Sequence, residues 1–367
     1  MQYNNFYCEG DLKTGKLPTS DDSSITTDYT AWKALKTKLS ESVNAGQCFS
    51  NGIVSTYSLA YTASSAYAGG VLAPNGDMHF IPDQATKGQK ISASGIISTY
   101  SLFSGGYCGG VLTPNGNIHF VPRTASVGQK ISSSGIVSTY SLVYTSSYAY
   151  SGGVLAPNGD IYFVPMSASI GQKVSVSGVV STYSLIYTST NAYCGGVLAP
   201  NGDIHFIPYY RIVGQKVSAV GVVSTYNLVY TTASAYVGGV LSPNGDIHFV
   251  PNSAIVGQKI SAEGVVSTYS LAYTVANAYR GGILAPNGDI YFIPDSAIVG
   301  QKISIAGIVS TYSLVHTIAN SYWGAILMPN DVAYFMPYGA AVGQKISLLS
   351  GKPFDYGIYY SPWFNKF

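Results

Sequence analysis

From residue 52 onward, apolar and polar positions alternate in short runs of four to eight residues, broken by Gly, Pro, Asn and Ser. That is the pattern of short β-strands joined by tight turns. The stretch "YCGGVLAP" (193–200) is apolar and carries a Gly pair; "DIHFIP" (203–208) alternates and stops at a Pro, which has no N–H to continue a ladder. "GQKVSAV" (214–220) predicts a third strand closed by Gly221, and "VVSTYNLVYT" (222–231), rich in β-branched and aromatic residues, predicts a fourth. Between the first two, Asn201–Gly202 predicts a two-residue hairpin turn of type I′, because both residue types tolerate positive φ. No helix of useful length fits inside this unit.

The unit repeats. "STY" begins at 55, 98, 138, 181, 224, 267 and 310; "PN" at 74, 114, 157, 200, 243, 286 and 329; "GQK" at 88, 128, 171, 214, 257, 300 and 343. The spacing is 43 residues, and 40 once, where "FSGGYC" (103–108) replaces a longer linker of the kind seen at 60–68. A period of roughly 40–45 with four strands marks a β-propeller blade. One such sheet leaves its apolar faces open, and stacked neighbours cover them. A "STY" strand (52–60) precedes the first "GGVL", while the last unit stops after "GQKIS" (343–347). Strand 52–60 therefore completes the blade built by 322–349, as WD-repeat propellers close. The expectation is an all-β, seven-bladed propeller of four-stranded antiparallel blades over 52–349. The seventh copy, "GAILMPNDVAYFMP" (324–337), has Asp331–Val332 where the others read Gly-Asp or, once, Gly-Asn.

The flanks lie outside the period. Residues 1–51 form an N-terminal extension in which "TDYTAWKALKTKLSESV" (27–43) reads as one amphipathic helix, with Asp28 as N-cap and Trp32, Leu35, Leu39 and Val43 on one stripe. Residues 350–367 form an aromatic tail that includes Tyr359, Tyr360, Trp363 and Phe364. Both segments are either packed on their own ring or used in assembly, and the tail favours burial in another subunit.

Composition narrows the class. Only 9% of residues are charged and 32 are Tyr, so the expected surface is polar but uncharged, in keeping with an exported or particle-surface protein. A net charge of +2 gives no footing for nucleic acid. No signal peptide is visible at "MQYNNFYCEGDLKTGK", and no apolar run approaches the roughly 20 residues of a membrane helix. Of four cysteines, Cys108 and Cys194 occupy equivalent positions two repeats apart, which predicts free thiols far from one another. Cys8 and Cys48 are free or bridged.

For chemistry, the tempting constellation is Asp-x-His: Asp77/His79, Asp203/His205 and Asp246/His248, with Asn117/His119 as a variant. Residues i and i+2 share one face of a strand. But Asp160/Tyr162 and Asp289/Tyr291 put Tyr where His stood, so the position wants an aromatic ring with a polar tip, not a metal ligand. The repeated Lys90, Lys130, Lys173, Lys216, Lys259, Lys302 and Lys345 are candidates to pair with the repeated Asp across strands. His316 is the off-pattern histidine, and its expected role is structural. No glycine-rich phosphate loop precedes a helix. With charged groups spread round the ring in near-identical copies, the expectation is a protein with no catalytic residues, metal or cofactor.

Comparing the repeats separates scaffold from specificity. The "PNGD" and third-to-fourth turns emerge on one face and are nearly constant; the second-to-third and blade-to-blade loops emerge on the other and vary. After "FIP" stand Asp83, Arg123, Met166, Tyr209, Asn252, Asp295 and Tyr338; before "GG" stand Ala68, Cys108, Ser151, Cys194, Val237, Arg280 and Trp323. Arg123, Tyr209, Tyr210, Arg211, Arg280 and Trp323 are residue types enriched in binding hot spots and are the candidate binding residues. Trp32, Leu35, Leu39, Tyr359, Tyr360, Trp363 and Phe364 are the candidate assembly residues.

The unit "GGVLSPNGDIHFVPNSAIVGQKIS" (238–261) resembles the "VLAPNG-x-IY/H-F-IP" propeller repeats of bacteriophage, giant-virus and bacterial surface proteins. The resemblance implies a non-enzymatic structural or interaction protein at a virion or extracellular surface: a phage tail, fibre or capsid-surface component that docks through its termini. Its partners would be other virion or surface-assembly proteins and a cell-surface glycan or receptor. The alternative is a lectin-like propeller whose constant aromatic residues stack on sugars between blades.

Overall fold

The computed structural model describes residues 52–348. Its strands, numbered β1–β28 in chain order, form seven four-stranded antiparallel sheets. β1 is Val54–Tyr57; β2–β5 run from Tyr67 to Ser101, β6–β9 from Tyr107 to Tyr140, β10–β13 from Tyr150 to Tyr183, β14–β17 from Tyr193 to Asn227, β18–β21 from Tyr236 to Ser270 and β22–β25 from Tyr279 to Ser313. The seventh sheet has the order β1-β28-β27-β26, with β26 Tyr322–Leu327, β27 Val332–Pro337 and β28 Gly343–Ser347. Its register pairs Val54 with Ile346 and Thr56 with Gln344, so the first strand completes the last blade as the repeat phase requires. The predicted helix at 27–43, the aromatic tail, Cys8, Cys48 and the seven candidate assembly residues lie outside the described residues.

The inner strand of each blade packs on the inner strands of both neighbours; β2 meets β6 on one side and β26 on the other, which closes the ring. Two glycines make this possible. At the first, the ladder bulges: the register between β2 and β3 shifts between Tyr67 and Gly70, with Gly69 at φ 92°. At the second, a Cβ on Gly70 would stand 2.6 Å from Met336 Sδ and 3.2 Å from Ile326 of the adjoining blade. The Gly pair is therefore where neighbouring blades touch.

The core lies between and within blades. Tyr67, Tyr107, Tyr150, Tyr193, Tyr236, Tyr279 and Tyr322 are fully buried, as are Phe80, Phe120, Phe163, Phe206 and Phe249. Tyr67 donates its hydroxyl to the Lys87 carbonyl (3.0 Å), and Tyr236 and Tyr279 repeat the contact. The Gln of each "GQK" is also fully buried: Gln89 Oε1 accepts from Ala60 N (2.9 Å) and Tyr61 N (2.8 Å), tying the incoming linker to the blade. This stapling role was not foreseen from the sequence.

The "PNG" turn differs from the expected type I′ hairpin. Gly76 N donates to Ala73 O, and positive φ occurs at Gly76 but not at Asn75. Pro74 holds its own φ negative at the first central position, so the turn is type I closed by a left-handed Gly, a three-residue loop. In the seventh blade Asp331 takes that left-handed place, at φ 60°.

Candidate functional site

The repeated polar residues are scaffold. Lys90 Nζ lies 2.6 Å from Asp77 Oδ2, and Lys173–Asp160, Lys216–Asp203, Lys259–Asp246 and Lys302–Asp289 repeat the cross-strand pair at 2.6–3.1 Å. His79 packs edge-on against Tyr100, its Nδ1 3.2 Å from the Tyr100 hydroxyl. In blades with Tyr at this position the same contact forms, as between Tyr162 and Tyr183. Burial holds His79, His119, His205 and His248 down to about 4, which keeps them neutral. His316 N donates to Gln344 Oε1 and its ring packs on Tyr322, a linker contact like those of the tyrosines it replaces.

The varied positions converge. The residues before each Gly pair sit on the inner strands, so all seven ring the axis. They surround a narrow axial well, open to solvent, whose wall includes Ala68, Cys108, Ser151, Cys194, Val237 and Trp323. Inner-strand glycines line the same well: a Cβ on Gly281 would lie 2.9 Å from Gly324 Cα.

This overturns one expectation. Cys108 and Cys194 are free and buried, but they are not far apart. Ser151 Oγ lies 3.4 Å from Cys108 Sγ and 3.1 Å from Cys194 Sγ, between the two. Repeats two units apart are distant at the rim of a ring and close at its hub. Burial pushes the Cys108 thiol up to about 12, so it stays protonated.

Around the mouth of the well the charged and aromatic residues cluster on one side. Arg123 Nη1 pairs with Asp83 Oδ2 at 2.8 Å, and Arg280 Nε stands 2.9 Å from Asp295 Oδ2. Both guanidinium groups lie over the Trp323 ring, 5.1 and 4.6 Å from its centroid, and Arg123 also covers Tyr148 at 4.8 Å. Such cation–ring stacking contributes roughly 0.5–1 kcal/mol at exposed sites and about 2 kcal/mol where water is excluded. Tyr338 meets Trp323 edge-on at 5.0 Å. Ala68, in the blade between Trp323 and Arg123, leaves the space the indole spans.

The Asp295 side chain is fully buried, and neither oxygen has an aligned hydrogen bond. Burial outweighs Arg280 and lifts its carboxyl to about 6. Asp83 is raised as well, burial prevailing over Arg123.

Of the six candidate binding residues, Arg123, Arg280 and Trp323 form one cluster. Tyr209 borders the mouth from the fourth blade, where Cys194 and Arg280 act on its hydroxyl. Tyr210 is exposed on the same loop with its ring 4.8 Å from that of Tyr209, and Arg211 follows it; neither lines the well. Sequence comparison missed Asp83, Asp295, Tyr338 and Tyr148 as cluster members. The first three were visible as varied positions, but nothing in the sequence marked them as partners of the arginines.

No family model matches the chain, and no curated protein matches it. Solved structures of the same fold do. A streptogramin B lyase is 20% identical, with TM-score 0.71, over 83% of this chain and 100% of that one. A virginiamycin B lyase from Staphylococcus aureus, solved with quinupristin in a catalytically inactive form, is 18% identical with TM-score 0.72, over 82% of this chain and 100% of the lyase. An extracellular domain of a two component system from B. thetaiotaomicron is 10% identical with TM-score 0.63, over 80% of this chain and 41% of that chain. These likenesses define a β-propeller fold.

They also correct the expectation that catalysis is excluded. That expectation took a ring of near-identical copies as evidence of a scaffold alone, and the same ring serves enzymes, the two lyases. Its second ground, the lack of an asymmetric polar cluster, fails at the mouth, where unlike groups from four blades meet. A repetitive scaffold does not rule out chemistry at its hub.

Proposed function

We propose that this chain is an interaction protein of a particle or cell-surface assembly, held through the segments outside its ring and presenting the mouth face to a protein partner. One observation carries the reading: the residues that vary between repeats gather on one face, while the chain leaves the ring on the other. Gly52 N donates to Ser347 O, and Leu348 N to Asp331 O at the constant "PN" turn. The flanking segments therefore join the ring on the constant-turn face, opposite Trp323.

The mouth face also has an apolar side. At one position of the second-to-third loop the first three blades carry Thr86, Ser126 and Ser169, and the next three carry Ile212, Ile255 and Ile298. Those isoleucines are 59–67% exposed. Three branched apolar side chains on consecutive blades, beside an arginine–tryptophan cluster, suit a protein surface. A virion surface is the setting that the charge-poor, tyrosine-rich composition supports.

The test uses single cysteines as cross-linking sites on the full chain in its native particle or surface fraction. A reagent on Ile255→Cys, at the mouth face, is expected to capture an external partner. One on Val265→Cys, 62% exposed at the start of an outer strand on the opposite face, is expected to capture assembly neighbours. The reverse pattern, or absence of the chain from particles and surface fractions by mass spectrometry, refutes the reading. Saturable binding on a glycan array, lost in variants of the constant tyrosines and kept in Trp323→Ala, would favour the lectin alternative.

A further inference from the structure

We infer that Arg280 is an anion-recognition residue, whose two terminal nitrogens take the carboxylate of an acidic side chain of the partner at the mouth of the axial well. The inference rests on the reading of the mouth as a binding site and names the chemistry of that site. The two mouth arginines are used differently. Arg123 is 12% exposed, and a terminal nitrogen, Nη1, is taken up by Asp83 at 2.8 Å. Arg280 is 18% exposed, and Asp295 engages its Nε edge. Its terminal nitrogens, the pair that grips a carboxylate side by side, make no hydrogen bond to a described residue. Trp323 and Tyr338 lie against the guanidinium, at 4.6 and 5.7 Å, and fix its plane.

Charge selects the ligand class. Two arginines face two aspartates, so with both carboxyls ionised the cluster is neutral. It can accept one shared, planar negative charge more readily than a dianion. Asp295 adds a pH dependence. Among the described residues Arg280 is the charged group that acts on its carboxyl; Arg280 in turn faces Tyr338 and, across the mouth, Tyr209 and Cys194. When Asp295 takes up a proton, the Arg280 charge is no longer balanced, and an incoming carboxylate gains attraction.

The experiment titrates acetate into the full chain and follows the Trp323 indole N–H by two-dimensional NMR, with Trp323→Phe to assign the signal. Saturable binding is expected, several-fold tighter at pH 5.5 than at pH 7.5. Arg280→Lys keeps the charge and loses the paired donors, so it should weaken binding about tenfold, which a purely electrostatic patch would not show. Asp295→Asn should bind acetate more tightly at pH 7.5 and lose the pH dependence. Non-saturating shifts, parental affinity in Arg280→Lys, or tighter binding of inorganic phosphate than of acetate at pH 7.5 would overturn the inference. Because the probe is acetate, failure here with intact cross-linking at position 255 removes the carboxylate and leaves the partner surface standing.

Discussion

At the residue scale, the buried glutamines are the least conspicuous and most consequential side chains. Gln215 Oε1 accepts from Ile186 N (3.0 Å) and Tyr187 N (2.9 Å), and nothing else about the linker supplies an acceptor there. Gln215→Ala should destabilise the ring by roughly 2–4 kcal/mol, since two backbone donors lose their partner; chemical denaturation measures it. The buried histidines set the acid limit. Their folded values near 4 lie below the usual 6.5, so the unfolded chain takes up protons first and stability drains away as pH falls from about 6.5 to about 4. Asp295 has the opposite sign: its carboxyl titrates near 6 when folded, so protonation there favours the fold as pH falls. Asp83 is raised too and shares that sign; the four histidines outweigh the two aspartates, and the thermal midpoint should drop steadily across that window. A midpoint that is flat or rising from pH 6.5 to 4.5 would contradict these assignments.

At the element scale, the strands and their order were readable because apolar alternation, Pro stops and Gly turns recur seven times, and each copy corroborates the next. The cross-strand Asp–Lys pair was readable too, from two residue types repeated in step. The turn type was not, because Asn-Gly suggested a type I′ turn while Pro74 and its equivalents, one residue earlier, controlled the backbone. The function of the second glycine was also hidden, since it answers to a neighbouring blade. At Gly196 a Cβ would lie 2.9 Å from Val164 Cγ2 and 3.0 Å from Val154 Cγ2. Gly196→Ala should cost about 1–3 kcal/mol in an equilibrium unfolding experiment, and adding Val164→Ala should recover part of the loss in the inter-blade contact while opening a small cavity.

At the scale of the whole molecule, ring closure converts positions scattered 40 or more residues apart into one site. Repeat comparison could say which loops vary and which face they share. It could not place Cys108 beside Cys194, or Arg123 over Trp323, because distance along the chain says little about distance at a hub. The same closure puts both ends of the described residues, Gly52 and Leu348, opposite the mouth, and the proposed division of the molecule into a held face and a presented face depends on it. The direct measurement is an engineered disulfide between Ser55→Cys and Lys345→Cys, partners in the β1–β28 register, in a chain with Cys8 and Cys48 replaced by Ser. Oxidation should give an intramolecular bond in the monomer, so that a single proteolytic cut at the Ile212 loop leaves both fragments joined until reductant is added. Fragments that separate without reductant, or bonds that form only between molecules, would show that the two ends do not share a blade.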